Sequence, residues 1–333
     1  MKPIGPEVVC FWIAAVLYGI AAVMQILAVL QKKKNLADMA MNVAWVGLLA
    51  HSANFFLPAV RQNYTGICSF DKVVAGTTWM GMIAFVGATL AYKAVRPAAT
   101  LILPVSFGMM IVGGILPCHP LGPSPVFKGW QLWLHVIGGG FAYGFALLSA
   151  VMAVFYMQKA KGKTGYPYDE LPDLEVLEEL KDRFFLVAVG LSTIMIHFAI
   201  LWVHMNLPAE FVARAGNSIT VLVWSYWMVF AIWLGLRYGL KLKGRKLVWY
   251  TPVALVLVMV FTFYIAPFRE ISYHTGPFFP PYDQPEHMKQ FLLTPDPKVK
   301  PDNTINKSAP VSSVEKTGNT VAMANVNGER LNK

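Results

Sequence analysis

The sequence predicts an all-α protein, a polytopic membrane helix bundle of about eight transmembrane helices with both termini outside. Three observations predict it. Of 333 residues, 56% are hydrophobic and only 14% are charged, more apolar side chain than a water-soluble domain of this size hides. The apolar residues fall into runs of about twenty, the length a helix needs to cross roughly 30 Å of hydrocarbon at about 1.5 Å per residue. Lys and Arg collect behind every second run, the bias that marks cytoplasmic loops.

The runs lie at about 7–31, 38–60, 73–93, 98–116, 130–157, 184–205, 219–240 and 247–267. The first reads as a retained helix, not a cleaved signal peptide, because its basic residues follow the apolar stretch and the stretch is too long for an h-region. Lys32, Lys33 and Lys34 follow it, and Lys93 and Arg96 follow the third run. Lys159, Lys161 and Lys163 follow the fifth; Arg237, Lys241, Lys243, Arg245 and Lys246 follow the seventh. Every odd-numbered exit is thus cytoplasmic, and the even-numbered exits face outward. The expected location is the cytoplasmic (inner) membrane, with its outer loops on the periplasmic side.

Between the fifth and sixth runs, Asp169 to Arg183 (DELPDLEVLEELKDR) places Leu174, Leu177 and Leu180 at helical spacing. It reads as an amphipathic surface helix leading into the sixth run. Beyond the eighth run the composition turns to Pro, Asn, Lys and Ser, too polar to offset the entropy of ordering. The chain therefore divides into a transmembrane bundle, 1–275, and an external, largely extended tail, 276–333.

The net charge of +10 is explained by this topology, so a nucleic-acid partner is not expected; the lipid bilayer is. No internal repeat of the inverted-transporter kind is visible. Cys10 falls in the first run, whereas Cys68 and Cys118 fall in outer loops where an oxidising compartment could join them or leave them apart. No Cys-x-x-Cys-His occurs, so the chain carries no covalent c-type haem of its own.

The chemistry is carried by histidines, which are costly in a membrane unless partnered. His135 stands near the outer start of the fifth run in WQLWLHV, and His274 just beyond the outer end of the eighth in ISYHTG. Two neutral imidazoles at one depth on different helices form the arrangement that holds a haem iron axially, and Trp130, Trp133, Phe268 and Tyr273 could pack on a porphyrin. The bland alternative is an interfacial aromatic belt with each imidazole bonded to a carbonyl.

His51 in the second run and His197 in the sixth lie at similar depth and could meet, and His204 is two turns beyond His197 on the same face. These three could form a second haem site, a quinol site or a path for protons or haem, or serve as polar glue between helices. His119 and His287 read as solvated. Gly138, Gly139, Gly140 and Gly144 below His135 include a GxxxG that admits either a neighbouring helix or a flat ligand, close helix packing being the favoured reading.

The segments Leu121 to Tyr143 (LGPSPVFKGWQLWLHVIGGGFAY), Leu180 to Thr193 (LKDRFFLVAVGLST) and Trp227 to Leu234 (WMVFAIWL) resemble the cytochrome c assembly family, which contains the CcsA/ResC haem-handling subunits. The resemblance runs from about Met41 to Gly276 and implies that His135 and His274 are axial haem ligands on the outer face. The chain departs from the family in one diagnostic region. A tryptophan-rich loop ending in Trp-Asp-Pro-Lys-Glu is replaced by Ala213 to Val221 (ARAGNSITV), although Trp224 and Trp227 follow, and a family histidine is replaced by Gly235.

Two functions compete on this reading. In the first, the bundle holds non-covalent b-type haem for delivery to a c-type cytochrome or apocytochrome, together with a second membrane subunit. Any enzymatic role would then be as part of a cytochrome c synthase (haem lyase) complex, for which this chain has no nucleophile and supplies positioning. In the second, permanent b-type haem, with or without a quinol site, passes electrons to an external cytochrome.

Overall fold

The computed structural model describes residues 5–62, 70–115, 130–206 and 224–260, and all of its regular structure is helical among the described residues. The chain divides into units 1–293 and 294–333, and the second lies wholly outside the described residues. So does the boundary expected at 275/276.

Helix α1 (Pro6–Gln31) starts on a proline, whose missing N–H costs nothing in a first turn. It stops where Lys32 turns left-handed at φ 56°, with Lys33 N–H capping the Ala28 carbonyl at 3.0 Å. The chain reverses at once into α2 (Lys34–Gln62). The hairpin closes tightly because α1 buries Ala14, Ala15, Ala21, Ala22 and Ala28, small residues that let two backbones approach. Tyr18 is buried in the same face, its ring filling the space beside Gly47, where a Cβ would come within 3.0 Å of it.

Helix α3 (Phe70–Ala91) is joined to α4 (Ala99–Ile115) by a 3₁₀ turn, Lys93–Ala98. Helix α5 (Trp130–Lys159) is the central element and packs on α3, α4 and α6, and on α8. Its GxxxG is used for helix packing, not for a ligand: a Cβ on Gly144 would lie 2.9 Å from Gly81 Cα of α3, and Met80 Sδ occupies the place of one on Gly140. Met195 of α6 fills the corresponding space beside Gly139.

Helix α6 (Leu174–Asn206) begins within the amphipathic stretch. From Leu174 the amphipathic stretch leads directly into the sixth span, as the first turns of one helix 33 residues long. Leu177 and Leu180 are buried in the main apolar core, so the stripe at helical spacing packs inward against the bundle. Helix α7 covers residues 224–234 and ends in a π turn, Gly235–Gly239; α8 (Tyr250–Val260) returns beside it. Phe185 of α6, Phe230 and Trp233 of α7, and Ala254 of α8 form a second apolar cluster.

Six helices are long and apolar enough to cross a membrane: Pro6–Gln31, Lys34–Leu57, Val73–Ala91, Lys93–Ile115, Trp133–Lys159 and Leu174–Trp202. Their outer faces expose Val16, Leu49, Leu90 and Ile194, as expected where lipid is the solvent. The remaining two of the eight expected spans are described only in part, as α7 and α8.

One end of the bundle is basic and clasped. Lys34 pairs with Glu170 at 2.6 Å, and Lys159 Nζ donates to the Leu171 carbonyl at 2.6 Å. Tyr166 donates to Gln25 Oε1 at 3.2 Å, so the α5–α6 connection lies across the α1–α2 turn. Burial, reinforced by Asp38 and Glu170, pushes the Tyr166 phenol up to about 12.

Candidate functional site

The opposite end carries His135. Helix α5 presents His135, Gly139 and Tyr143 at successive intervals of four, one stripe facing α6. Two flanking pairs bind the start of α5 to the end of α6: Trp130 meets Phe198 edge to face at 5.5 Å, and Gln131 Nε2 donates to Met205 Sδ at 3.4 Å. His135 is half-buried, and its Nδ1 lies 3.1 Å from the Met195 carbonyl oxygen. A carbonyl only accepts, so Nδ1 carries the proton and Nε2 the lone pair. A backbone carbonyl that fixes the tautomer in this way is the usual support of a metal-ligating imidazole.

Below His135 the stripe borders a cavity of about 20 Å³ between α5, α6, α7 and α8, lined by Gly139, Tyr143, Ser192, Met195, Tyr226 and Val258, among others. It has room for a water molecule and none for a porphyrin. Its polar feature is a hydroxyl pair, Tyr143 to Tyr226 at 2.9 Å. Helix α8 runs toward the His135 end. Ala254 packs beside Phe185, and Val258 packs beside Ile196 and Tyr226, farther from the basic end.

His51 and His197 are not brought together. His51 is fully buried on α2, its ring edge-on to Tyr18 of α1 at 5.8 Å between centroids. The Tyr18 hydroxyl is 3.4 Å from Nδ1, the Ala75 backbone of α3 lies near the ring, and Nε2 has no well-aligned partner among the described residues. His197 points out of the bundle from α6, exposed, with Nδ1 donating to the Thr193 carbonyl one turn back at 2.7 Å. His204 is exposed on the same face. The separation has a simple cause: α2 packs on α1 and α3, whereas α6 packs on α5. His274, His119, His287, Phe268, Tyr273, Cys68, Cys118 and the segment from Ala213 to Val221 lie outside the described residues. Cys10 is a free thiol.

Sequence reasoning missed two features. The Tyr143–Tyr226 pair was legible in part, since Tyr143 stands two turns below His135 on its own face, but nothing local to Tyr226 points back to it. The other is a charge node near the basic end. Asp182 is buried with Oδ2 2.7 Å from Arg237 Nε and Oδ1 2.8 Å from Nζ of the wholly buried Lys181. These contacts pair the charges but are misaligned for hydrogen bonds. Glu178 completes the node by accepting from Gly244 N–H at 2.9 Å. A loop Arg read as a topology signal gives no hint of such a partner. Among the described residues no cluster of His, Cys, Asp and Glu is arranged to hold a metal ion.

No protein-family model, curated protein or solved structure matches the chain.

Proposed function

We propose that this protein binds b-type haem at the end of its bundle opposite the basic one, with His135 and His274 as axial ligands, and holds it for a c-type cytochrome or apocytochrome. The charge bias of the loops puts that end on the outer, periplasmic side of the inner membrane. The observation that carries the reading is the support of His135: its Nδ1 lies on the Met195 carbonyl, the kind of backbone contact that orients a metal-ligating imidazole.

Two further observations bear on where the haem would lie. The cavity below His135 is too small for a porphyrin, so the macrocycle belongs over the first turn of α5, where Trp130 is 59% exposed. Helix α8 packs on α5 and heads toward the same end, and His274 follows Val260 by only 14 residues. The second ligand is therefore within reach of the first; extended chain spans up to about 3.3 Å per residue.

A permanent haem passing electrons to an external cytochrome, with or without a quinol, is the second reading. The Tyr143–Tyr226 hydroxyl pair, two turns below His135 on the same stripe, favours it as a polar step for a proton that moves with the electron. Reduced-minus-oxidised spectra of the purified protein test both. A b-type spectrum lost in His135→Ala and in His274→Ala is expected, and haem content unchanged in both variants would overturn the site. Loose, substoichiometric haem supports delivery, and stoichiometric haem reducible by quinol supports electron transfer.

A further inference from the structure

The basic end of the bundle is not evenly basic. Beside the α3–α4 turn, Lys34 is paired with Glu170 and feels the charges of Asp38 and Arg96. Arg183 pairs with Glu179, and Arg237 with Asp182. The turn from α7 to α8 is different. It carries Lys241, Lys243, Arg245 and Lys246 within six residues, all exposed, with no acidic residue between them. Among the described residues none of these four is ion-paired.

Tertiary contacts extend this patch. Arg245 Nη2 donates to the Ala160 carbonyl at 3.0 Å, which sets the turn against the end of α5, where Lys161 and Lys163 are exposed. Side-chain carbons of Lys32 lie 3.2 Å from the place of a Cβ on Gly165, so the α1–α2 turn adjoins the same stretch. The neighbouring carboxylate, Asp169, accepts from the Gly165 N–H at 3.0 Å. The charges are also fixed in place: Gly244 N–H donates to Glu178 at 2.9 Å, Leu242 N–H to the Leu236 carbonyl at 3.0 Å, and Leu247 and Val248 are buried. Tyr238 and Trp249, 55% and 59% exposed, flank the turn, and such side chains sit at headgroup depth.

We propose that this rim, the α7–α8 turn together with the end of α5, binds the anionic headgroups of phospholipids in the leaflet it faces. Charge decides the occupant. Clustered Lys and Arg beside a membrane attract negative lipid, and a phosphate accepts charge-assisted hydrogen bonds from both. A second copy docked rim to rim would oppose like charges. The undescribed segments of this chain are not candidates, because α1 begins, and α2, α4, α6 and α8 end, at the opposite end of the bundle. Loop bias alone orients a chain in any lipid. A fixed cluster of cations without carboxylate partners goes further and discriminates anionic from neutral headgroups.

The test uses the full chain in vesicles of phosphatidylcholine and phosphatidylglycerol, with a photo-reactive group near the headgroup of one lipid or the other. The expected result is several-fold more labelling of peptides 159–165 and 238–249 by phosphatidylglycerol than by phosphatidylcholine. The excess should vanish at about 1 M salt, where screening acts within about 3 Å. It should also fall several-fold when Lys241→Gln, Lys243→Gln and Lys246→Gln are combined, a variant that spares the Arg245 contact with Ala160. Lys34→Gln combined with Arg96→Gln, on the neutralised side, should leave it nearly unchanged. Equal labelling by the two lipids, an excess indifferent to salt, or equal losses in the two variants would overturn the proposal. So would displacement of the labelled lipid by inorganic phosphate at constant ionic strength, which would make the rim a site for free anions. No step of this depends on haem, so the reading built on His135 and this one can fail separately.

Discussion

The imidazole of His135 on α5 is oriented by the backbone of α6, its Nδ1 standing 3.1 Å from the carbonyl oxygen of Met195. The support is main chain and survives any side-chain change at 195. The imidazole can therefore be removed while its surroundings stay in place. His135→Gly is expected to abolish the b-type spectrum, and millimolar imidazole should restore it, because the cleared space readmits the same donor atom. Haem titration followed by Soret absorbance measures this, and a His135→Gly protein that keeps its haem without imidazole would exclude His135 as ligand.

Helix packing makes a prediction independent of any cofactor. Gly144 and Gly81 stand where a Cβ on the first would lie 2.9 Å from the second's Cα, backbone that cannot rotate aside. Gly144→Leu should destabilise the bundle by about 1–3 kcal/mol through overpacking. Thermal unfolding in detergent would show a lowered midpoint. Gly108→Leu, where nothing lies within 4 Å of the added carbon, should leave the midpoint nearly unchanged.

Glycines show where sequence is readable and where it is not. GxxxG announced a close approach on α5, and physical spacing favoured a helix over a flat ligand; Met80, Gly81 and Ala84 of α3 are that helix. Run lengths of apolar residues likewise marked the helices, because lipid leaves few alternatives to a helix. The histidines were harder. Equal depth allowed His51 and His197 to meet, but depth says nothing of which helices are neighbours, and α2 and α6 pack on different partners. Arg237 was counted as a loop charge because its partner, Asp182, lies on another helix.

The basic end supplies a pH-dependent contact. Burial first, then Asp38 and Glu170, raise the Tyr166 phenol from its ordinary value of 10.0 to about 12. A raised value means the fold favours the protonated phenol. Its contribution is complete below about pH 10 and is lost as pH rises through about 12. Unfolding rates measured in detergent from pH 9 to 12 should climb less steeply in Tyr166→Phe than in the unsubstituted protein. Parallel curves would remove Tyr166 from the alkaline transition.

Asp182 joins α6 to the turn after α7, balancing Arg237 at 2.7 Å and the fully buried Lys181 at 2.8 Å. Attraction between buried ions offsets a large desolvation cost, and removing one partner leaves that cost uncompensated. Asp182→Asn should therefore destabilise the protein by roughly 3–5 kcal/mol, far more than loss of an exposed, solvent-screened pair such as Arg183–Glu179. Deleting the charge from the other side gives a sharper comparison. Arg237→Met should be less harmful in the Asp182→Asn background than alone, since the pair that Arg237 makes with Asp182 is then already lost. Thermal midpoints of the two single variants and the double variant measure the coupling. Strictly additive losses would mean that the node does not act as a unit and that α7 is held to α6 by the Phe185, Phe230 and Trp233 packing alone.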